Sequence, residues 1–292
     1  MLILIADSFD ASLPERLKPF GEITTEKSRL SEAEVVLVRS KTKCTQEYID
    51  SAPKLKLIIR GGVGLDNVDA PYAKKKGILV QNTPEASSVA VAELAMALML
   101  AVPNHIVEAH DSMKEGKWLK KELERTELYR KTLGIIGLGR IGSEVAKRAC
   151  AFEMKVIATD PVVKKSACAE MKSLDEVLAA ADYLSLHVPK ADSTKNLINA
   201  GTIAKMKKGV IIVNTGRAAC VDEAAMAAAL NSGQVGCYAT DVWSSDPPPA
   251  DCALLKAPRV LMAPHLGASS KENLLRIGDI VVRQIKEFAG RR

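Results

Sequence analysis

The chain has 292 residues, a length that corresponds on average to about two domains. Hydrophobic residues are 47% and charged residues 26%, a balance that excludes a disordered or fibrous chain and allows a sizeable core. The formal net charge of +6 comes from 41 basic and 35 acidic residues, with no long basic block, so it suits anionic small molecules and argues against a nucleic-acid partner.

From the N-terminus, Met1–Ile5 is apolar but meets Asp7 too soon for a signal peptide. Short β-branched runs at Leu2–Ala6, Glu34–Val38, Leu57–Arg60 and Ile78–Gln81 predict strands. Between them, Ser12–Phe20, Thr45–Ser51 and Val68–Lys76 predict helices. A long helix is expected from about Glu85 to His110. Its apolar part, Ala86 to Pro103, carries Glu93 in its middle and ends at a proline, so a buried helix is expected there and no membrane partner. The polar stretch Lys114–Lys131 contains Trp118 and is expected to be an ordered excursion.

A second series of strands follows at Leu133–Gly137, Lys155–Thr159, Tyr183–His187, Val210–Asn214, Tyr238–Val242 and Val260–Met262. Its helices are Arg140–Phe152, Leu174–Ala181, Asp222–Asn231 and Ser270–Phe288. Repeated βα units predict α/β architecture, with parallel sheets covered by helices on both faces. The second sheet already has its helices, so Ile285–Phe288 is expected to return to the first domain. The six cysteines form no C-x-x-C pair and none has a neighbouring histidine, which gives no metal site and predicts a reduced, cytoplasmic protein.

One motif is specific. Leu133–Ile136 runs into Gly137-Leu138-Gly139-Arg140-Ile141-Gly142, a G-x-G-x-x-G between a strand and a helix, and Asp160 closes the next strand. Gly137 permits the tight turn, Gly139 lets the backbone approach a pyrophosphate, and Gly142 lets helix and strand pack closely. The pyrophosphate then rests on the unpaired N–H groups at the helix start. Asp160 can accept hydrogen bonds from a ribose diol, whereas a 2′-phosphate would meet like-charge repulsion of about 4 kcal/mol. NAD is therefore expected over NADP. A second glycine cluster, Gly61-Gly62-Val63-Gly64, lacks the third glycine and the acid; its N–H groups either grip a carboxylate or form an ordinary turn.

Hydride transfer to a carbonyl needs a proton donor, and histidine is the usual one near neutral pH. The four histidines are His105, His110, His187 and His265. The first two fall near the end of the long helix, where capping or solvent-facing roles suit them. His187 ends a strand and is expected to border the cofactor. His265 lies in the loop Pro264-His265-Leu266-Gly267 after a parallel strand, where α/β enzymes place chemistry. Arg217 follows another parallel strand; it could hold a substrate carboxylate by charge-assisted hydrogen bonds, or form a surface ion pair. Asp246 could fix the tautomer of His265 and favour its charged form, or cap the turn into Pro247-Pro248-Pro249.

Together these segments resemble the D-isomer-specific 2-hydroxyacid dehydrogenases. The likeness is carried by Arg60–Asp69, Gly77–Pro84, Lys131–Gly142, Asn214-Thr215-Gly216-Arg217, Asp241-Val242-Trp243 and Pro264–Ser269. It runs over nearly the whole chain, and within the family it is greatest to the branch that acts on 3-phospho-D-glycerate. The resemblance implies two doubly wound parallel-sheet domains: a flavodoxin-like substrate domain, residues 1–97 completed by a helix at 277–292, and an inserted Rossmann NAD domain, residues 98–276. It implies an Arg-Glu-His catalytic set on Arg217, Asp246 and His265. Asp246 stands where the family has glutamate, and with one methylene fewer it is expected to reach His265 only through a small loop shift or a water. NAD contacts are implied at Arg140, Ile141, Asp160, Val188, Thr194, Thr215, Asp241 and the loop of His265, Gly267 and Ala268. The neighbouring His187, Pro189, Asn214 and Gly216 complete the expected cofactor surface.

The resemblance further implies that the N–H groups of Gly62 and Val63 hold the substrate carboxylate, within a substrate-binding segment from Arg60 through Gly61. Val63 replaces a threonine found in some members of that branch. Arg39-Ser40 matches the segment that meets a substrate phosphate, with Lys41 and Lys43 adding charge; the alternative is a solvated basic loop. The implied substrate is a phosphorylated 2-hydroxy acid, enclosed when the two domains close over it, and the implied assembly is a homodimer with the long helix and the Trp118 excursion near its interface. No C-terminal serine-binding domain follows in the sequence, so inhibition by that route is not expected. Two other readings stay open: a glyoxylate or hydroxypyruvate reductase, and an NAD-sensing protein akin to transcriptional co-repressors, which the shortened Asp246 keeps in play.

Overall fold

Runs such as Leu2–Ile5 and Val35–Val38 are apolar at every position and are buried along their whole length, as strands covered on both faces must be. In the computed structural model, which describes residues 1–290, these runs pair into two sheets whose neighbouring strands are all parallel. The first sheet comprises β1 (Leu2–Ile5), β2 (Glu22–Thr24), β3 (Val35–Val38), β4 (Leu57–Arg60) and β5 (Leu79–Asn82). Its connections hold α1 (Leu13–Leu17), α2 (Gln46–Asp50) and α3 (Ala70–Lys75). Then come α4 (Ser88–Ala101) and α5 (Ile106–Lys114). The second sheet comprises β6 (Thr132–Ile136), β7 (Lys155–Thr159), β8 (Glu170–Met171), β9 (Tyr183–Leu186), β10 (Val210–Asn214), β11 (Val235–Thr240) and β12 (Val260–Met262). With it go α6 (Arg140–Ala151), α7 (Leu174–Ala180), α8 (Ala200–Ile203) and α9 (Glu223–Ser232), and α10 (Lys271–Ala289) closes the chain.

The chain divides into two compact units, Met1–Ala90 with the segment from Ala268 onward, and Val91–Gly267. The boundaries expected from sequence, after 97 and after 276, lie seven and nine residues later than these. Residues 291 and 292 of the expected C-terminal segment lie outside the described residues.

The first unit has strand order β2-β1-β3-β4-β5, a doubly wound arrangement. Ile3, Ile5, Leu57 and Ile59 face α1 and α10, while Leu4, Val36, Val38 and Ile58 face α2 and α3. On α10, Ile277, Val281 and Ile285 form one stripe at four-residue spacing, all fully buried. Each such side chain contributes about 1.5–3 kcal/mol by leaving water. That stripe is why the last helix packs in the first unit.

The second unit has strand order β12-β11-β10-β9-β6-β7-β8, the doubly wound order of a Rossmann sheet with added edge strands. One face buries Leu184, Leu186, Ile212 and Tyr238 beneath α7 and α9; the other buries Leu133, Ile135, Val213 and Ala239 beneath α4 and α6.

One expectation needs correction. The expected helix over 85–110 is two helices, α4 and α5, bent by 62°. Pro103 has no N–H to donate and disfavours helical geometry in the residue before it, and His105 adopts a left-handed backbone with φ 50°. Among the described residues no single helix is long and apolar enough to cross a membrane. The excursion at 114–131 is held by buried Leu128 and by hydrogen bonds from Thr126 N–H to Pro103 O and from Arg125 to Asn104, while Trp118 is 73% exposed.

Candidate active site

Because every strand of the second sheet runs the same way, the residues following each strand collect at one edge. The switch in strand order falls between β6 and β9, where an α/β sheet opens its ligand crevice. The glycine turn leaves β6 there, and His187, Val188 and Pro189 leave β9. Gly137 has φ 92°, and its N–H donates to Thr159 O at 2.9 Å. A Cβ at Gly142 would stand 2.1 Å from Gly137 O, so only glycine lets α6 start so close to the turn. A Cβ at Gly139 would meet nothing within 4 Å. That open space in front of exposed backbone, at the N-terminus of α6, is a cradle for a pyrophosphate. Arg140 is exposed and Ile141 partly buried beside it.

Asp160, at the end of β7, accepts from Leu138 N–H at 2.8 Å and from Val162 and Val163 N–H at 2.8 and 2.9 Å. Burial opposes its ionisation, but those three backbone donors and nearby Lys164 outweigh it and hold the carboxyl below its usual range. The carboxylate thus stands charged and fixed beside the glycine turn.

Several polar groups at this edge are buried without protein partners. Thr215 Oγ1 and His187 Nδ1 are two, each at the end of a neighbouring strand. His187 Nε2 pairs with Ser185 Oγ at 2.8 Å, and burial pushes the imidazole down to about 4, so it is neutral at physiological pH. Thr194 Oγ1 donates to Pro189 O at 2.7 Å and shapes the loop after β9. Asn214, fully buried, accepts from Gly216 N–H through Oδ1 and donates through Nδ2 to Tyr238 OH and Arg217 O. The turn that presents Arg217 is therefore pinned from beneath, and Arg217 Nη1 donates to Gly216 O at 2.9 Å.

The loop after β12 is held in the same way. Asp241, 1% exposed, accepts from Leu266 N–H at 2.6 Å and Gly267 N–H at 2.8 Å. Burial is the main cause of its raised pKa, only partly offset by those two donors and His265. The clamp was not evident from sequence, because its donors are backbone groups 25 and 26 residues away. Within this turn His265 takes a left-handed backbone, φ 58°. Its Nδ1 lies 2.5 Å from Asp246 Oδ2. Of the two routes expected for the shorter acid, a small loop shift or a water, the water is not needed: the carboxylate touches the ring directly. Trp243 Nε1 donates to Ala263 O at 2.9 Å and ties the Asp246 loop to the His265 loop.

The first unit carries the remaining predicted residues. Arg39 follows β3 and Asp7 follows β1, at that sheet's own switch point. Asp7 accepts from Arg39 N–H at 2.6 Å and from Thr42 Oγ1 at 2.6 Å. Arg39 Nη2 donates to Ala268 O at 2.8 Å and Nη1 to Ser8 O at 3.4 Å, while its Nε is buried without a hydrogen-bond partner. Ser40 is exposed. Nearby, a groove of about 440 Å³ is lined by Asp7, Ser8, Asp10, Thr25, Lys27 and Lys41. After β4, a Cβ on Gly62 would collide with the Arg60 guanidinium, so these two residues are packed together. Gly61 N–H is spent on Val38 O at 2.8 Å. Thr83 N–H holds Gly62 O at 3.0 Å and Asn82 Nδ2 holds Val63 O at 2.5 Å. A trans peptide points its N–H opposite its C=O, so the Val63 N–H is turned away from β5.

The pattern of the "D-isomer specific 2-hydroxyacid dehydrogenase, NAD binding domain" matches residues 96–267, which contain the glycine turn, Asp160, Arg217 and His265. The chain belongs to the D-isomer-specific 2-hydroxyacid dehydrogenases. It is 49% identical over 264 residues to a hydroxypyruvate reductase of Thermotoga maritima, covering 89% of this chain and 86% of that one. It is 43% identical over 298 residues to a D-3-phosphoglycerate dehydrogenase of Methanocaldococcus jannaschii, covering 98% of this chain but 57% of the relative, so it spans little more than half of that protein. Its structure is similar to that of a D-lactate dehydrogenase from Aquifex aeolicus in complex with NAD and lactic acid, with a TM-score of 0.88 and 32% identity, covering 99% of this chain and 95% of that one. This family member is an NAD-dependent enzyme, and the open glycine cradle, the charged Asp160 and the unpartnered Thr215 hydroxyl fit that cofactor.

Proposed function

We propose that this dehydrogenase interconverts 3-phospho-D-glycerate and 3-phosphohydroxypyruvate, the entry step of serine biosynthesis, in the cytoplasm. The observation that carries the choice of substrate is Arg39: a guanidinium set on two backbone carbonyls at the end of β3, with a buried Nε still lacking an acceptor. A buried unsatisfied donor costs about 1–3 kcal/mol, which a substrate phosphate oxygen would recover. Lys27 and Lys41 line the adjoining groove together with the carboxylates of Asp7 and Asp10.

Held by the residues below, NAD would supply the acceptor for the hydride on the carbon bearing the hydroxyl. His265 receives the hydroxyl proton on Nε2, because Nδ1 is committed to Asp246, whose charge stabilises the imidazolium that forms. Arg217 orients the substrate carboxylate through its planar guanidinium. Gly137, Gly139, Arg140, Ile141 and Gly142 would receive the pyrophosphate and Asp160 the adenosine ribose. His187, Val188, Pro189, Thr194, Asn214, Thr215, Gly216, Asp241, Gly267 and Ala268 complete the cofactor surface.

Hydroxypyruvate reduction is the second reading, favoured by the 49% identity to the Thermotoga maritima enzyme. The direct Asp246–His265 contact supports an enzyme over a sensor without turnover. Steady-state assays on phosphorylated and plain substrates discriminate: Arg39→Gln should raise KM about tenfold or more for 3-phosphohydroxypyruvate and leave hydroxypyruvate unchanged. Equal losses on both would remove Arg39 from the phosphate site.

We also propose that the chain works as a homodimer. Ile106, Val107 and Met113 of α5 and the following Trp118 are exposed large apolar residues, a surface that monomers rarely leave to water. Light scattering should give about twice the 31.4 kDa chain mass, and a monomer at micromolar concentration would contradict it.

A further inference from the structure

Four of the six cysteines are buried, and burial pushes the Cys44 thiol up to about 12 and the Cys237 thiol to about 11, so these do not react readily. The other two differ. Cys150 is exposed in the last turn of α6, and Cys168 is partly exposed in the segment between β7 and β8. The Cys150 thiol donates to Cys168 O at 3.1 Å, which sets the two residues side by side. The segment from Pro161 to Ala169 has no helix or strand and is largely exposed, with Val162 at 81%. Its near end is fixed where Asp160 accepts from Val162 and Val163 N–H; its far end reaches α6 through the cysteine contact.

We propose that Cys150 and Cys168 are a thiol-oxidation site, closing a reversible disulfide that pins the loop after Asp160 to the end of α6. The oxidant is a low-molecular-weight disulfide such as oxidised glutathione. One cysteine thiolate attacks it, forming a mixed disulfide and expelling one glutathione thiolate. The second cysteine, deprotonated, attacks the protein sulfur of that mixed disulfide and expels the other. Two thiols and one glutathione disulfide thus become one protein disulfide and two glutathiones. Burial and the neighbouring thiol raise the pKa of Cys150, so the exchange is slow at neutral pH and faster in mild alkali. The cross-link spans 18 residues and encloses Lys164 and Lys165 within the loop.

The test treats the whole protein with oxidised glutathione at mildly alkaline pH, then follows peptide masses and the rate of tryptic cleavage after Lys164 and Lys165. The expected product is a peptide pair joining Cys150 to Cys168, two hydrogens lighter, absent from both Cys150→Ser and Cys168→Ser. Cleavage in the loop should slow about fivefold or more on oxidation, recover with reductant, and show no response to oxidant in Cys168→Ser. Glutathione adducts on these residues without a cross-link would overturn the proposal. So would a cross-link that leaves loop cleavage unchanged.

Discussion

The Asp246 carboxylate lies 2.5 Å from His265 Nδ1. The ring is presented by a left-handed turn at His265, whose loop Asp241 clamps through Leu266 and Gly267 N–H. Asp246→Asn keeps the size but removes the charge and presents either tautomer with a partner. Its kcat should fall about 10²–10⁴-fold with NAD binding unchanged, measured by steady-state kinetics and titration; a loss under threefold would contradict the assigned role. His187 offers a pH test. Its folded pKa of about 4 lies below the ordinary 6.5, so the unfolded chain binds the extra proton between those values. Its contribution is complete above about pH 6.5 and fades as pH falls towards 4, a loss on the order of 3 kcal/mol. Urea unfolding at pH 7.5 and 4.5 should show a smaller difference for His187→Gln than for the parent chain, and equal differences would refute this.

The glycine turn and α6 act as one element. Gly142→Ala sets a Cβ against the Gly137 carbonyl, a backbone clash that costs about 1–3 kcal/mol and distorts the turn. Gly139→Ala meets no protein atom, so its stability should be unchanged while NAD affinity falls about tenfold, because only the cofactor occupies that space. Thermal unfolding and NAD titration of the pair check this; equal stability losses would contradict it. At this scale the sequence was legible wherever an element carries its own pattern. The buried strands, the G-x-G-x-x-G turn and the apolar stripe of α10 all identify themselves. It was less so where geometry comes from elsewhere. The edge strands β2 and β8, three and two residues long, have no room to show alternation. The short α8 owes its start to Asn199, which caps Gly201 and Thr202.

In the molecule as a whole, two parallel sheets each collect their chemistry at the carboxyl edge, as any singly directed sheet does. Family, fold and cofactor could be read from local motifs for that reason. The substrate could not, because the proposed distinction between a phosphorylated acid and a plain one rests on one arginine and two lysines of the first unit. The hydroxypyruvate reductase and D-3-phosphoglycerate dehydrogenase relatives, at 49% and 43% identity, mark the same ambiguity. The most direct test is the ratio of kcat/KM for 3-phosphohydroxypyruvate over hydroxypyruvate, with NADH, in the unmodified protein. Two charge-assisted hydrogen bonds to the phosphate, each worth about 1.5–3 kcal/mol, predict a ratio of about 100 or more. A ratio at or below one would contradict the account and make this chain a reductase of unphosphorylated acids.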